Sequence, residues 1–311
     1  MDSLILALDF GGTKLSAAVT ADSQTWLAHD RFFSQPDATA VNDYRQMIAL
    51  AHKLLNGRSP QAVGVSFGGP VDFERGLVRL SHHVPGWEET PLRQWLMAEF
   101  DAPVWVDNDA NVAALGECRY GAGQGVDGPV DDLLYVTVST GVGGGWVLNG
   151  RIWRGHEGMA GEIGHTVVAP DGPLCLCGKR GCVERLASGP YMAQDLAAAW
   201  VEEKRPFTAP VTGKMVAEEA AAGDPTARHI LLRGANALGL GLGNAANLIN
   251  PARIILGGGV TKAGDLWWDE LHRTVQATIL PEVSVSLHPA QLGDDAPLWG
   301  AVALTAVYSS S

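Results

Sequence analysis

Residues 4–19 read LILALDFGGTKLSAAV. An apolar run meets Asp9 and a pair of glycines, and a second apolar run follows Lys14, which predicts strand, glycine turn, strand. The same device returns at 133–150 as LLYVTVSTGVGGGWVLNG. About 130 residues separate the copies, too long a period for a solenoid, so the chain reads as a duplicated pair of lobes that each open on a β-hairpin.

Both turns suit phosphate. Gly11 and Gly12 expose backbone N–H groups, Thr13 adds a hydroxyl, Lys14 a cation, and Asp9 stands at the strand end where it could orient Mg2+ or its waters. A bare glycine hairpin is the alternative for the first copy. The second copy, Ser139-Thr140-Gly141 with glycines at 143 to 145, tips the choice to nucleotide. No G-x-x-x-x-G-K-[ST] loop occurs, and the glycines of GLGLGN (239–244) lie inside a helical pattern, not after a strand. Asp9-Phe10-Gly11 spells the DFG of protein kinases, with no H-R-D loop to accompany it.

Around the hairpins the order is mixed α/β. Helices are expected at 42–56, around 91–100, from Asp109 to about Gly116, at 189–200, at 214–248 and in the terminal PLWGAVALTAVY. Strands are expected at 62–67, 103–106 and 253–256. GAGQGVDGPVDD (121–132) and PDGP (170–173) read as loops.

Three of the four cysteines fall in GEIGHTVVAPDGPLCLCGKRGCVE (161–184). His165, Cys175, Cys177 and Cys182 offer one imidazole and three thiolates, a set that suits tetrahedral zinc, and Gly178 and Gly181 let the short loop fold around one point. A disulfide is the alternative, but three cysteines leave one unpaired. A complete Cys3His shell has no open position, so the metal is expected to be structural. Cys118 stands apart and reads as a small packed residue.

The chain has 311 residues, 46% apolar and 18% charged, with 22 basic against 34 acidic side chains and a net charge of −12. That size suggests two lobes, and the charge argues against nucleic acid and anionic lipid as partners. The opening MDSLILALDF lacks a basic leader region, and no apolar run is long enough to span a bilayer, so the expected location is cytoplasmic.

These residues carry a resemblance. The chain resembles the ROK family of sugar kinases and sugar-responsive repressors through LDFGGTK (8–14), GVSFGGPVD (64–72), VDNDANVAALGE (106–117), TVSTGVGGG (137–145), GHEGMAGEIGH (155–165), CLCGKRGCVE (175–184) and NLINPARIILGGG (247–259). The resemblance implies a two-lobed actin-like ATPase fold, that is, a duplicated ribonuclease H-like α/β fold, with a zinc-bound loop. It places a small lobe at 1–117, joined by a returning helix at about 297–311, and a large lobe with the zinc loop at 118–296.

The resemblance also assigns roles. Asp109 becomes the catalytic base and Asn108 a sugar ligand; Gly69 gives a backbone contact; Glu162, His165 and Glu184 take sugar hydroxyls, with Glu157 as a further ligand. Gly11, Gly12, Thr13, Lys14, Thr140 and Gly141 match phosphate-loop positions, Gly258 and Gly259 approach the adenosine, and His165, Cys175, Cys177 and Cys182 hold zinc. The zinc loop then brings Glu162, His165 and Glu184 to one face of a sugar. Taken alone, Asp109 sits where a helix N-cap belongs, a role that needs no chemistry.

The implied activity is transfer of a phosphoryl group from ATP to a hexose, glucose first, with Mg2+ and structural zinc, in a homodimer. Fructose, mannose, allose, N-acetylmannosamine and N-acetylglucosamine remain open. A repressor is the rival from another class, though the first turn begins at residue 9 and leaves no room ahead of it for a DNA-binding domain. Two departures from the family pattern stand out: Trp146 after the second glycine turn, and the histidines of LSHHVPGW (80–87). The other histidines and the ten tryptophans read as packed or surface residues.

Overall fold

A computed structural model of the chain describes residues 3–35, 37–81, 84–125, 128–207 and 209–309. In order, the chain forms β1 (Ile5–Phe10), β2 (Lys14–Thr20), β3 (Ala28–Phe33), α1 (Ala40–Leu55), β4 (Ala62–Phe67), β5 (Val71–Asp72), β6 (Leu77–Val78), α2 (Leu92–Phe100), β7 (Val104–Asn108), α3 (Asp109–Tyr120), β8 (Gln124–Gly125) and β9 (Gly128–Pro129). It continues with β10 (Leu133–Val138), β11 (Val142–Leu148), β12 (Arg151–Trp153), α4 (Val183–Ala187), α5 (Gly189–Glu202), α6 (Gly213–Ala221), α7 (Pro225–Ile249), β13 (Arg253–Gly257), α8 (Asp265–Thr278), β14 (Ser286–Pro289) and α9 (Ala296–Tyr308). Among the described residues no helix is long and apolar enough to cross a membrane.

The chain divides into two compact units. The first comprises Met1–Asp131, Gly145–Ala160 and Gln291–Ser311; the second comprises Asp132–Gly144 and Gly161–Ala290. The two five-stranded sheets run β3-β2-β1-β4-β7 and β12-β11-β10-β13-β14. In the first, β2 is antiparallel to β1 and β3, while β4 is parallel to β1 and β7. In the second, β12 is antiparallel to β11 and β13 is parallel to β10 and β14. The repeated order is the duplication that the two glycine hairpins imply.

In the first unit the side chains of successive strand residues go to opposite faces. Leu6, Leu8, Val63 and Val65 join Met47, Leu50 and Leu54 of α1 in one core, with Trp87 fully buried among them. On the other face Gly64 approaches Ala301 of α9 so closely that a Cβ would lie 1.9 Å from the Ala301 carbonyl oxygen.

Two expected boundaries move. Helix α3 runs to Tyr120, past Gly116, because that glycine is a packing contact and not a stop. A Cβ on Gly116 would sit 2.6 Å from the Ala296 oxygen, and one on Gly300 would sit 1.8 Å from the Val112 oxygen, so α3 and α9 touch backbone to backbone. The single helix expected over 214–248 is two helices. Asp224 caps α7 by accepting from the Ala227 N–H at 2.7 Å, with Pro225 in the first turn. The glycines of GLGLGN do lie inside α7, where Gly239 and Gly243 face Thr274 and Thr278 of α8.

Candidate active site

In the first unit β1 delivers Asp9 to the glycine turn. Gly11 N–H donates to the Lys14 carbonyl at 3.1 Å and Gly68 N–H to the Phe10 carbonyl at 2.9 Å, so the turn is pinned from both sides. The Lys14 ammonium lies 3.2 Å from Asp294, which precedes α9. Asp9 is buried, and its Oδ1 accepts from the Ser66 hydroxyl at 2.8 Å. Burial pushes its carboxyl up to about 7; the Ser66 hydrogen bond opposes this, the Asp109 charge adds to it, and Lys14 opposes it.

At the end of β7 the chain reads Asp107-Asn108-Asp109. Asp107 is buried and anchored: Arg154 reaches it through Nε at 2.8 Å and Nη2 at 2.7 Å, and Asn111 Nδ2 donates at 3.2 Å. Arg154 is itself held with its guanidinium 3.5 Å from the Phe73 ring centroid. Its neighbour Arg93 is committed to the carbonyls of Glu74 and Phe73, so the arginine-lined cavity of about 1,020 Å3 beside them is largely a structural joint.

The cap of α3 is Asn108, not Asp109. Its Oδ1 accepts from the N–H groups of Ala110 at 3.0 Å and Asn111 at 3.4 Å, while Nδ2 donates to the Gly69 carbonyl at 3.1 Å and to Asp109 Oδ1 at 3.0 Å. Both amide hydrogens and the amide oxygen are therefore engaged, and Asp109 is the first helical residue, exposed, with Oδ1 also accepting from Ala110 N–H at 2.8 Å. The first unit thus brings together Asp9, the glycine turn, Gly69, Asn108 and Asp109. Glu157 is exposed on the segment after β12. Trp146 is buried and stands opposite Trp153 in the β11–β12 ladder. His82 and His83 lie outside the described residues.

In the second unit a single 3-10 turn, Ile163–His165, follows Glu162 and places His165 next to the cysteine loop. The ligand atoms of His165, Cys175, Cys177 and Cys182 all lie within 4.8 Å of one another. The Cys177 and Cys182 sulfurs are 3.5 Å apart, far beyond the ~2.05 Å of a disulfide and near the ~3.8 Å that tetrahedral Zn–S bonds of ~2.3 Å dictate. His165 Nδ1 is buried with no hydrogen-bond partner. An orphaned imidazole nitrogen beside three thiols fits a soft, four-coordinate metal.

Glu184, in α4 directly after Cys182-Val183, reaches the second glycine turn. Its Oε2 accepts from the Val142 N–H at 3.0 Å, and a Cβ on Gly141 would lie 2.7 Å from that oxygen, so a side chain at position 141 would push the Glu184 carboxylate aside. Close by, a cavity of about 980 Å3 is lined by Thr140 and Gly259 together with Gly189, Pro190, Gly213 and Val260. Gly141 and Gly258 are not among its lining residues. The N-terminal residues of α5 and α6 were not singled out from the sequence. The available signal was Thr212-Gly213, where Thr212 caps α6 by accepting from Met215 N–H at 3.2 Å.

The model of the ROK family matches residues 5–307. A glucokinase of Halalkalibacterium halodurans is 39% identical over 250 residues, 76% of this chain and 74% of that protein. Among solved structures, a ROK hexokinase from Thermus thermophilus superposes with a TM-score of 0.86 at 34% identity, covering 99% of each chain. A ROK family glucokinase from Streptomyces griseus, in complex with glucose and AMPPNP, gives 0.77 at 34% identity, covering 96% of this chain and 97% of that one. The duplicated sheets are those of the actin-like ATPase fold.

Proposed function

The chain belongs to the ROK family, and on that premise we propose that it phosphorylates glucose with ATP. It is a sugar kinase; glucose is the acceptor that the glucokinase relatives favour. Phosphoryl transfer asks for positioning and charge neutralisation more than covalent chemistry, so an aspartate of ordinary basicity suffices to accept the sugar hydroxyl proton.

In this reading Asp109 is that base. The observation that carries it is the capping arrangement at α3: Asn108 does the structural work, and Asp109 is left exposed with Oδ1 held by Asn108 and Ala110. Asn108 acts on the sugar chiefly by fixing Asp109 and Gly69, since a hydroxyl bonding to its amide has to displace one of those partners. Glu162, Glu184 and His165 take sugar hydroxyls, Glu184 through Oε1 because Oε2 is engaged at Val142. Glu157 supplies a further contact.

The phosphates lie against the N–H groups of Gly12 and Gly141 and the side chains of Thr13, Lys14 and Thr140, with Gly11 shaping the turn through its own bond to the Lys14 carbonyl, and the adenosine enters the 980 Å3 cavity beside Gly259. Asp9 would hold Mg2+ or its waters: a buried all-oxygen donor fits a hard divalent ion, which neutralises phosphate charge. His165 Nδ1 and the three cysteines would hold zinc, a structural metal that keeps Glu162 and Glu184 in place and leaves His165 Nε2 for the sugar.

A coupled ADP-release assay with Mg-ATP and glucose, mannose, fructose, allose, N-acetylmannosamine and N-acetylglucosamine tests the reading. Glucose is expected to have the highest kcat/KM. A dominant rate on another sugar would keep the mechanism and move the specificity; no turnover with any would overturn it.

A further inference from the structure

Helix α5 has two working faces. Pro190, Ala193, Gln194 and Ala197 line the 980 Å3 cavity. Tyr191 and Asp195, one turn apart, lie on the face turned away from them by the 100° step of the helix. The Tyr191 hydroxyl accepts from the Leu176 N–H at 3.1 Å, in the middle of the cysteine loop between Cys175 and Cys177. Asp195 takes the Arg185 guanidinium bidentately, at 2.8 and 3.0 Å, and also receives Arg233 from α7.

Arg185 is the residue after Glu184. It is buried, and its guanidinium lies 4.7 Å from the Tyr191 ring centroid, so one side chain of α4 is gripped by both residues of that α5 face. Burial works against ionisation of Asp195, yet Arg185 and Arg233 together hold its carboxyl below the usual range. At the helix start Gly189 N–H donates to the Ser139 carbonyl at 2.9 Å, and Glu184 holds Val142 on the other side of the same turn. A shift of α5 is therefore felt at the glycine turn, at the carboxylate of Glu184 and at the cysteine loop together.

We infer that Tyr191 and the Arg185–Asp195 pair are positioning residues that couple occupancy of the α5 cavity to the geometry of the cysteine loop and Glu184, so that nucleotide and sugar strengthen each other's binding. The inference rests on the reading above of the cavity as the adenosine site and of Glu162, His165 and Glu184 as sugar ligands. Tyr191→Phe removes the hydroxyl that holds Leu176 and leaves the ring under Arg185. Asp195→Asn keeps the shape and weakens the ion pairs.

The measurement is the glucose Kd by titration calorimetry, with and without saturating AMPPNP, on wild type and both variants, with zinc content determined on the same samples. Wild type should bind glucose at least about fivefold more tightly with AMPPNP present, within the usual range of coupling between sites. In Tyr191→Phe that factor should fall to within about twofold of unity, with zinc content and the glucose Kd without nucleotide preserved; Asp195→Asn should move in the same direction. A wild-type factor near one, variants that keep the wild-type factor, or variants that lose zinc or glucose binding outright would each overturn the coupling role. Wild type that binds no glucose at all would instead show that the sugar reading has failed, and the inference with it.

Discussion

An aspartate that opens a helix is ordinarily its cap, and at Asp109 the neighbouring side chain decides otherwise. Because Asn108 satisfies the first N–H groups of α3, removing the Asp109 carboxylate leaves the cap in place. Asp109→Asn should lower kcat by about 10²–10⁴-fold, the range expected for a lost general base, with glucose binding by calorimetry little changed and the melting temperature near wild type. Asp9 makes the opposite kind of prediction, about stability. Its carboxyl sits at about 7 when folded against 3.8 ordinarily, so between those values the unfolded chain releases its proton first and stability falls as pH rises, levelling off above 7. In metal-free protein, Asp9→Asn should be more stable than wild type at pH 8, on the order of 2–4 kcal/mol by denaturant titration, and the gain should shrink as pH falls toward 4. From the sequence alone Asp109 reads as the cap, and the structure gives that place to Asn108. Which one caps depends on backbone angles set by β7 and on the Gly69 carbonyl 39 positions earlier, neither of which is written locally.

At the scale of elements the cysteine loop was the most legible feature, because metal-ligand chemistry is carried by residue type and spacing alone. His165 stands with the three cysteines, its and their ligand atoms within 4.8 Å of one another, and its Nδ1 is buried without a hydrogen-bond partner. Cys177→Ser should lower zinc content by elemental analysis and weaken glucose binding in parallel. Zinc lost with affinity intact would separate the metal from the positioning of Glu162 and Glu184. The meeting of α3 and α9 was less legible. Gly116 and Gly300 look like breakers in one dimension, and only their mutual approach shows that they are the contact surface. Gly300→Ala should destabilise the protein by about 3 kcal/mol, the upper end of overpacking costs, seen as a lower thermal midpoint, since a Cβ there would press on the carbonyl and the Cγ1 of Val112. That the start of α6 lines the cavity was not singled out for a related reason: Thr212-Gly213 is a common helix opening, and its place beside α5 comes from tertiary packing.

For the whole molecule, the duplication was readable because each copy repeats a local pattern, a hairpin with a glycine turn, and the two sheets repeat the same strand order. The crossing of one strand between the units was not readable, because it is decided by contacts between segments far apart in sequence. Strand β11 begins in the second unit and ends in the first, and the first unit closes only with Gln291–Ser311. That has a consequence for the order of biosynthesis. A domain generally folds as its residues leave the ribosome, but here the first unit must wait until α9 has been translated, after all of the second unit, since α9 is buried against α3, β1 and β4. The second unit has all its residues by Ala290. Stalled nascent chains ending there, with a linker to clear the exit tunnel, should resist protease across 161–290 while 1–131 remains open to cleavage. A nonsense codon after residue 290 should therefore leave residues 1–131 unfolded although they are translated before the second unit.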